Sequence, residues 1–373
     1  MERLHFLDSV RALSALYVVA HHLYIAVFHG YPANTGPTVL APLMYGQFGV
    51  AVFIVVSGFS LALAPVRHGW DLTGGFRRFI RRRAWRIIPP YWAALALSVA
   101  VVALLVTPKV SYPLSLKGVL THLFLVQDVV EGPTPNGAFW SIAVEWQLYF
   151  VFPLFLFIRR RFGAAVVVGL VVGATAAVKL AEGHSAVADK LLHLSPQFAA
   201  LFVFGMVAAA VTNRSAERGS ARRWGWLAAV AAMALVVLCL VLGTEGSIAQ
   251  IYWLDYVIGA AVAALLAYLA GSPPGRLRRA LEGRSLVGIG QFSYSLYLVH
   301  APLLLVAWLY IVEPLGLPGL ASLALMTFIV GPVILVLGYL FHLGVEKPFL
   351  LHRSLGELRP SRRRIDAEAS ASR

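Results

Sequence analysis

Ten apolar stretches follow one another along the chain's 373 residues with only short polar links between them. Each is close to the ~20 residues an α-helix needs to cross a bilayer. They cover 10–28, 40–64, 87–106, 140–158, 162–180, 194–211, 224–242, 251–270, 287–311 and 320–345. In hydrocarbon every backbone N–H and C=O must find a partner within its own segment, so such stretches predict helices. The expected fold is all-α: one integral-membrane bundle of about ten transmembrane helices over 1–349, then a basic tail, 350–373, expected to be cytoplasmic and disordered. Composition agrees, with 59% of residues hydrophobic and 13% charged, where a soluble domain carries about a quarter charged. No secretory cleavage site follows the first stretch, and His21 and His22 interrupt it, so it is expected to be retained. The single cysteine, Cys239 in LVVLCLVLG, reads as apolar packing and excludes an internal disulfide.

The net charge of +14 is not a nucleic-acid signal in such a chain. Lys and Arg gather in cytoplasmic loops of membrane proteins. With ten spans and both termini inside, 27 of the 31 basic residues fall on the cytoplasmic side, leaving Lys109, Lys117, Lys179 and Lys190 outside. An eleventh stretch, 116–130, contains Lys117, His122, Gln127 and Asp128. Counting it as a span would send Arg159–Arg161 and two further basic loops outside, so it reads as interfacial or re-entrant. A multi-pass protein of the plasma membrane, N-in and C-in, follows, with the lipid bilayer as its medium and no nucleic-acid partner.

Ionisable residues inside a bilayer are costly and mark candidate sites. Arg11 and His22 are eleven residues apart, about 20° beyond three full turns, so they share a face some 16 Å apart along the axis. Separately, Arg11 fits a snorkelling interfacial residue and His22 a histidine bonded across helices; together they suggest a seam facing a polar cavity. Asp8 is placed to pair with Arg11 at i,i+3. In WSIAVEWQLYF, Ser141, Glu145 and Tyr149 share a face, and Glu145 is expected to act in a site or to pair with an Arg or His. In QFSYSLYLVHAP, Ser293, Tyr297 and His300 share another. Six arginines in FRRFIRRRAWRIIPPYW, among them Arg82, Arg83 and Arg86, suit either lipid headgroups or a phosphate-rich ligand held in bidentate geometry. Ser57 and Gly58, in FIVVSGFSL, leave room for a ligand or a second backbone. Asp255, near an expected outer interface, fits plain hydration and is left without a role. No group of metal-ligand spacing is present.

These motifs together resemble the acyltransferase 3 family, integral membrane proteins that move acyl groups from coenzyme A thioesters onto sugars and natural products. LDSVRALSALYVVAHH, FIVVSGF, RRAWRIIPPYW, FWSIAVEWQLYFVFP, FSYSLYLVHAPL and GVEKPF occur in order over about residues 4 to 349. The resemblance implies a ten-helix core, a catalytic centre containing Arg11 and His22, and donor-side roles for Arg82, Arg83 and Arg86. It also implies no bound cofactor, with acyl-CoA (commonly acetyl-CoA) as co-substrate and a carbohydrate or small-molecule hydroxyl as acceptor. The chain is expected to lack the periplasmic domain that some members append. The high Ala, Val, Arg and Gly content fits a GC-rich bacterial genome.

The expected chemistry has His22 taking the hydroxyl proton as the oxygen attacks the thioester. Arg11 would steady the donor or the oxyanion, and Glu145 would orient a histidine or bind the acceptor. A transporter or flippase using the same buried polar seam is the competing class, and a structural subunit without chemistry a third.

Overall fold

The computed structural model describes residues 4–213 and 218–351, and all its elements are helices. The chain enters through α1 (His5–Val27), a 3-10 turn (Thr38–Met44) and α2 (Gln47–Arg67). α3 (Gly75–Val101) continues through a π turn (Val102–Val106), and the short α4 (Leu116–Leu123) follows. α5 (Trp140–Phe162), α6 (Ala164–Leu180), α7 (Ala186–Leu192) and α8 (Gln197–Ala208) come next. α9 (Arg218–Ala249) and α10 (Ile251–Gly271) pack on one another. α11 (Arg276–Leu281) and α12 (Arg284–Gln291) lead into α13 (Ser293–Ala307). α14 (Gly319–Leu325), α15 (Gly331–Phe341) and α16 (Lys347–Leu351) join end to end through π turns at Met326–Val330 and His342–Glu346.

Among the described residues, 8 helical segments are long and apolar enough to cross a bilayer. Two of the ten expected spans take another form. The stretch 162–180 is the 17-residue α6. The stretch 194–211 is α8, which with α7 makes a pair bent by 54°. The bend follows from its sequence: Ser195 has φ 49 and Pro196 comes next, which interrupts the helical ladder. Counting that pair as one crossing gives up to 9.

The stretch 116–130 does not form a long helix. Ser115 caps α4 by accepting from the Gly118 N–H at 3.0 Å, and the chain turns at Leu125, φ 57. The Tyr91 hydroxyl and the Trp92 indole of α3 donate to the carbonyls of His122 and Leu123, at 2.9 and 3.0 Å. Asn136 then ties the following loop to the bundle, donating to Ser98 Oγ and the Leu298 carbonyl, each at 3.1 Å. The expected tail, 350–373, lies outside the described residues beyond Leu351.

Close backbone contact positions the helices that carry the polar residues. A Cβ on Gly58 would lie 2.0 Å from the Phe202 carbonyl oxygen, and one on Gly205 would lie 2.0 Å from that of Val55. α2 and α8 therefore cross with glycine against backbone in both directions, the small-residue packing that membrane helices use. A Cβ on Gly290 would meet the Asp8 carbonyl oxygen at 2.0 Å. That contact holds α12 against the end of α1 that carries Asp8 and Arg11.

Candidate active site

A cavity of about 610 Å³ opens between α1, α2, α3, α5, α13 and the last helices. Arg11, Arg83, Arg86 and Lys347 line it with the acids Asp8, Glu145 and Glu346, and with Ser57, Ser293, Tyr149 and Tyr297. Residues that sequence reasoning took from five separate motifs thus face one space.

Arg11 and Glu145 each have specific partners. Arg11 donates through Nη2 to Ser60 Oγ at 2.7 Å, and its Nη1 stands 3.4 Å from Asp8 Oδ1. Ser60 holds the guanidinium across to α2, so Arg11 is fixed in the cavity wall rather than snorkelling freely. Among the described residues Glu145 makes no ion pair with an arginine or a histidine, the structural alternative to a site role. Its Oε1 accepts from Ser57 Oγ at 2.6 Å and from the Tyr149 hydroxyl at 2.7 Å. A carboxylate can accept about four hydrogen bonds, so Oε2 retains capacity toward the cavity. Further in, Tyr297 and Ser141 share a 2.6 Å hydrogen bond. The Tyr297 hydroxyl also lies 2.9 Å from the Ala138 carbonyl.

Four of the expected site residues stand elsewhere. Arg82 is exposed and does not line the cavity that Arg83 and Arg86 line. Gly58 packs on α8, because its missing side chain admits a backbone rather than a ligand. His22 and His300 are also absent from the cavity wall, since the helical rise carries His22 some 16 Å beyond Arg11. They meet each other instead, rings 4.9 Å apart, with His300 Nε2 3.4 Å from His22 Nδ1. Tyr297 links the two regions: it lines the cavity, and its ring is 5.5 Å from that of His300.

Hydrogen bonding fixes the histidine tautomers. His22 Nδ1 lies 2.8 Å from the Val18 carbonyl, and His300 Nδ1 lies 2.7 Å from that of Tyr297. A carbonyl only accepts, so each Nδ1 carries hydrogen, and in the neutral ring Nε2 keeps the lone pair. His22 Nε2 has no hydrogen-bond partner among the described residues.

Ser60, His342 and Glu346 are among the cavity residues that sequence reasoning missed. Ser60 is an ordinary serine in an apolar run. His342 and Glu346 lie on the last π turn, and Glu346 Oε2 accepts from His342 Nδ1 at 2.8 Å and Ser295 Oγ at 2.6 Å. The signal for Glu346 was present as the carboxylate of GVEKPF. Asp255 is fully buried rather than hydrated, with Oδ2 accepting from Gln47 Nε2 at 2.7 Å and Gln197 Nε2 at 3.2 Å. It ties α10 to α2 and α8. Among the described residues no group of three or more His, Cys, Asp or Glu is arranged to hold a metal ion.

Over residues 4–343 the chain matches the family described as the acyltransferase domain. It is 26% identical to the acyltransferase MdmB of Streptomyces mycarofaciens, over 96% of this chain and 94% of that protein. Nodulation protein 10 of Rhizobium leguminosarum bv. viciae is 25% identical over 85% of this chain and 90% of its own length. The putative peptidoglycan O-acetyltransferase YrhL of Bacillus subtilis (strain 168) is 25% identical over 92% of this chain and 54% of its own. No solved structure matches the chain.

Proposed function

The chain belongs to the acyltransferase 3 family of membrane enzymes that transfer acyl groups, and from that premise we propose that it is an O-acyltransferase drawing on acyl-CoA. The acyl group proposed is acetyl, and the acceptor is a hydroxyl of a sugar, a cell-surface glycan or a secreted metabolite. The observation that carries this reading is the cavity that joins Arg83 and Arg86 to Arg11 and Glu145. Guanidinium groups hold phosphates in bidentate geometry, which suits a nucleotide-bearing thioester. The name of YrhL, a putative peptidoglycan O-acetyltransferase, favours acetyl and a glycan hydroxyl.

The donor enters from the arginine side, and its acyl end reaches past Tyr297 toward His22. His22 Nε2, left free by the Val18 contact, takes the proton of the acceptor hydroxyl as its oxygen attacks the thioester carbonyl. General base catalysis of this kind is typically worth about 10²–10⁴-fold. Arg11, braced by Ser60, supplies positive charge to the donor or to the developing oxyanion. Ser57 acts through Glu145, whose second oxygen orients donor or acceptor. In this reading ten crossings place both termini in the cytoplasm of a bacterial plasma membrane, which puts 27 of the 31 basic residues on the inner side.

Membranes holding the protein are expected to release free thiol from acetyl-CoA when a hydroxyl acceptor is added. His22→Ala is expected to stop that release while folded protein remains in the membrane. Full release by that variant sinks the assignment. Flux of a substrate without thiol release would make the protein a transporter.

A further inference from the structure

A catalytic base becomes charged as it works, and something must hold that charge. In a Ser-His-Asp site a carboxylate accepts the second ring N–H of the histidine. Among the described residues neither His22 nor His300 hydrogen-bonds a carboxylate. The titratable groups facing the pair are His21 on α1, 5.0 Å from His22 between ring centres, and Tyr297 on α13, 5.5 Å from His300. Tyr31 lies beyond His21 at 5.9 Å. The Val18 carbonyl near His22 Nδ1 stands four residues back, where it also closes the helix. The remaining lone pair in reach is His300 Nε2 at 3.4 Å.

We propose that His300 is a positioning residue for His22, sharing through Nε2 the Nδ1–H that the Val18 carbonyl already fixes, so that the imidazolium is held when it forms. This rests on the reading of His22 as the base. His300 is set up for the task. It is fully buried, and its own Nδ1–H is committed to the Tyr297 carbonyl at 2.7 Å. Only Nε2 is left, and it can only accept.

The step balances. The acceptor's O–H bond breaks and its proton goes to His22 Nε2. The oxygen bonds to the thioester carbon, the C–S bond breaks, and the departing thiolate takes the proton back from Nε2 as free thiol. Through this cycle the Nδ1–H stays on His22, shared with His300 while the ring is charged. The resting 3.4 Å separation is long for a hydrogen bond, and such contacts tighten when charge develops.

The test uses the full chain in lipid nanodiscs with ¹⁵N-labelled histidine, the His22 signals assigned by their loss in His22→Gln. Wild type is expected to show His22 protonated at Nδ1. In His300→Phe the pH at which His22 takes up a second proton is expected to fall by about one unit, a tenfold weakening of proton binding. Thiol release from acetyl-CoA is expected to drop about 10- to 100-fold, the range of a charge-assisted hydrogen bond, with the donor KM unchanged. His300→Gln offers an amide oxygen and is expected to recover most of both losses. An unshifted titration in His300→Phe overturns the proposal, and so does His300→Gln falling as far as His300→Phe. If His300→Phe does not fold, His300→Leu takes its place in the titration, and His22 protonated at Nε2 in wild type would also overturn the proposal. Full activity in His22→Ala would instead remove the base itself. An inactive His22→Ala beside an unmoved titration removes only the role of His300.

Discussion

α2 and α9 are nearly equal by hydropathy and opposite by environment. The segment Thr38–Arg67 has mean hydropathy 2.2 and 72% of its apolar window is buried in the protein; Ala221–Ala249 has 2.7 and 6%. Hydropathy therefore says that both prefer hydrocarbon and does not say whose. Lipid tails are as apolar as leucine, so apolar area alone gives no reason for one membrane helix to seek another. The exceptions in the sequence decide. α2 carries Gly58 against α8, Ser57 on Glu145 and Ser60 on Arg11. Along α9, Leu240 and Val241 remain 77% and 79% exposed.

The largest effect that tests this contrast is expected at Gly58. Gly58→Ala places a Cβ 2.0 Å from the Phe202 oxygen, which belongs to backbone and cannot turn aside. α2 and α8 must part, and the cavity wall moves with α2. Overpacking of this kind costs about 3 kcal/mol, and thermal melting in detergent is expected to show the loss together with reduced thiol release. A variant that melts like wild type would mean that α2 is not held by that crossing.

A smaller effect is expected at Glu145, where packing and chemistry separate. Glu145→Ala leaves the buried Ser57 and Tyr149 hydroxyls without their acceptor, at about 1–3 kcal/mol. Glu145→Gln keeps an accepting oxygen and is expected to restore most of the melting temperature. It removes the charge, so its thiol release is expected to stay low. Equal activity in Glu145→Gln and wild type would reduce Glu145 to a structural acceptor for two hydroxyls.

The same contrast explains what the sequence made legible. Apolar length alone located every long helix, because a bilayer leaves a chain few alternatives. Arg11, Glu145, Arg83 and Arg86 could be singled out because charge in an apolar setting is conspicuous, and all four line one cavity. Ser60 could not, since its meaning comes from Arg11, 49 residues away in sequence. Helical phase put Arg11 and His22 on one face but could not show that the seam divides at Tyr297, because tertiary packing sets that boundary. Gly58 was correctly read as a point of close approach; only the fold could show that a backbone does the approaching. His342 and Glu346 escaped notice for a related reason. Their contact is made on a π turn, and π turns, which recur at functional sites, leave no simple periodicity in sequence.

The smallest effect is expected on α9, and it is the one that can reverse the comparison. Leu240→Ala removes apolar atoms from a side chain that is 77% exposed. In a bilayer a lipid tail fills the vacated space, so no cavity remains and no transfer free energy is lost. The expected change in stability is within about 0.5 kcal/mol, as for substitutions that touch no packed feature. Melting of the variant in lipid nanodiscs, rather than detergent alone, checks this, because the argument depends on mobile hydrocarbon around the helix. A loss as large as a buried leucine gives, about 2–5 kcal/mol, would mean that α9 faces protein in the membrane. The two helices would then differ only in which protein surface each one meets.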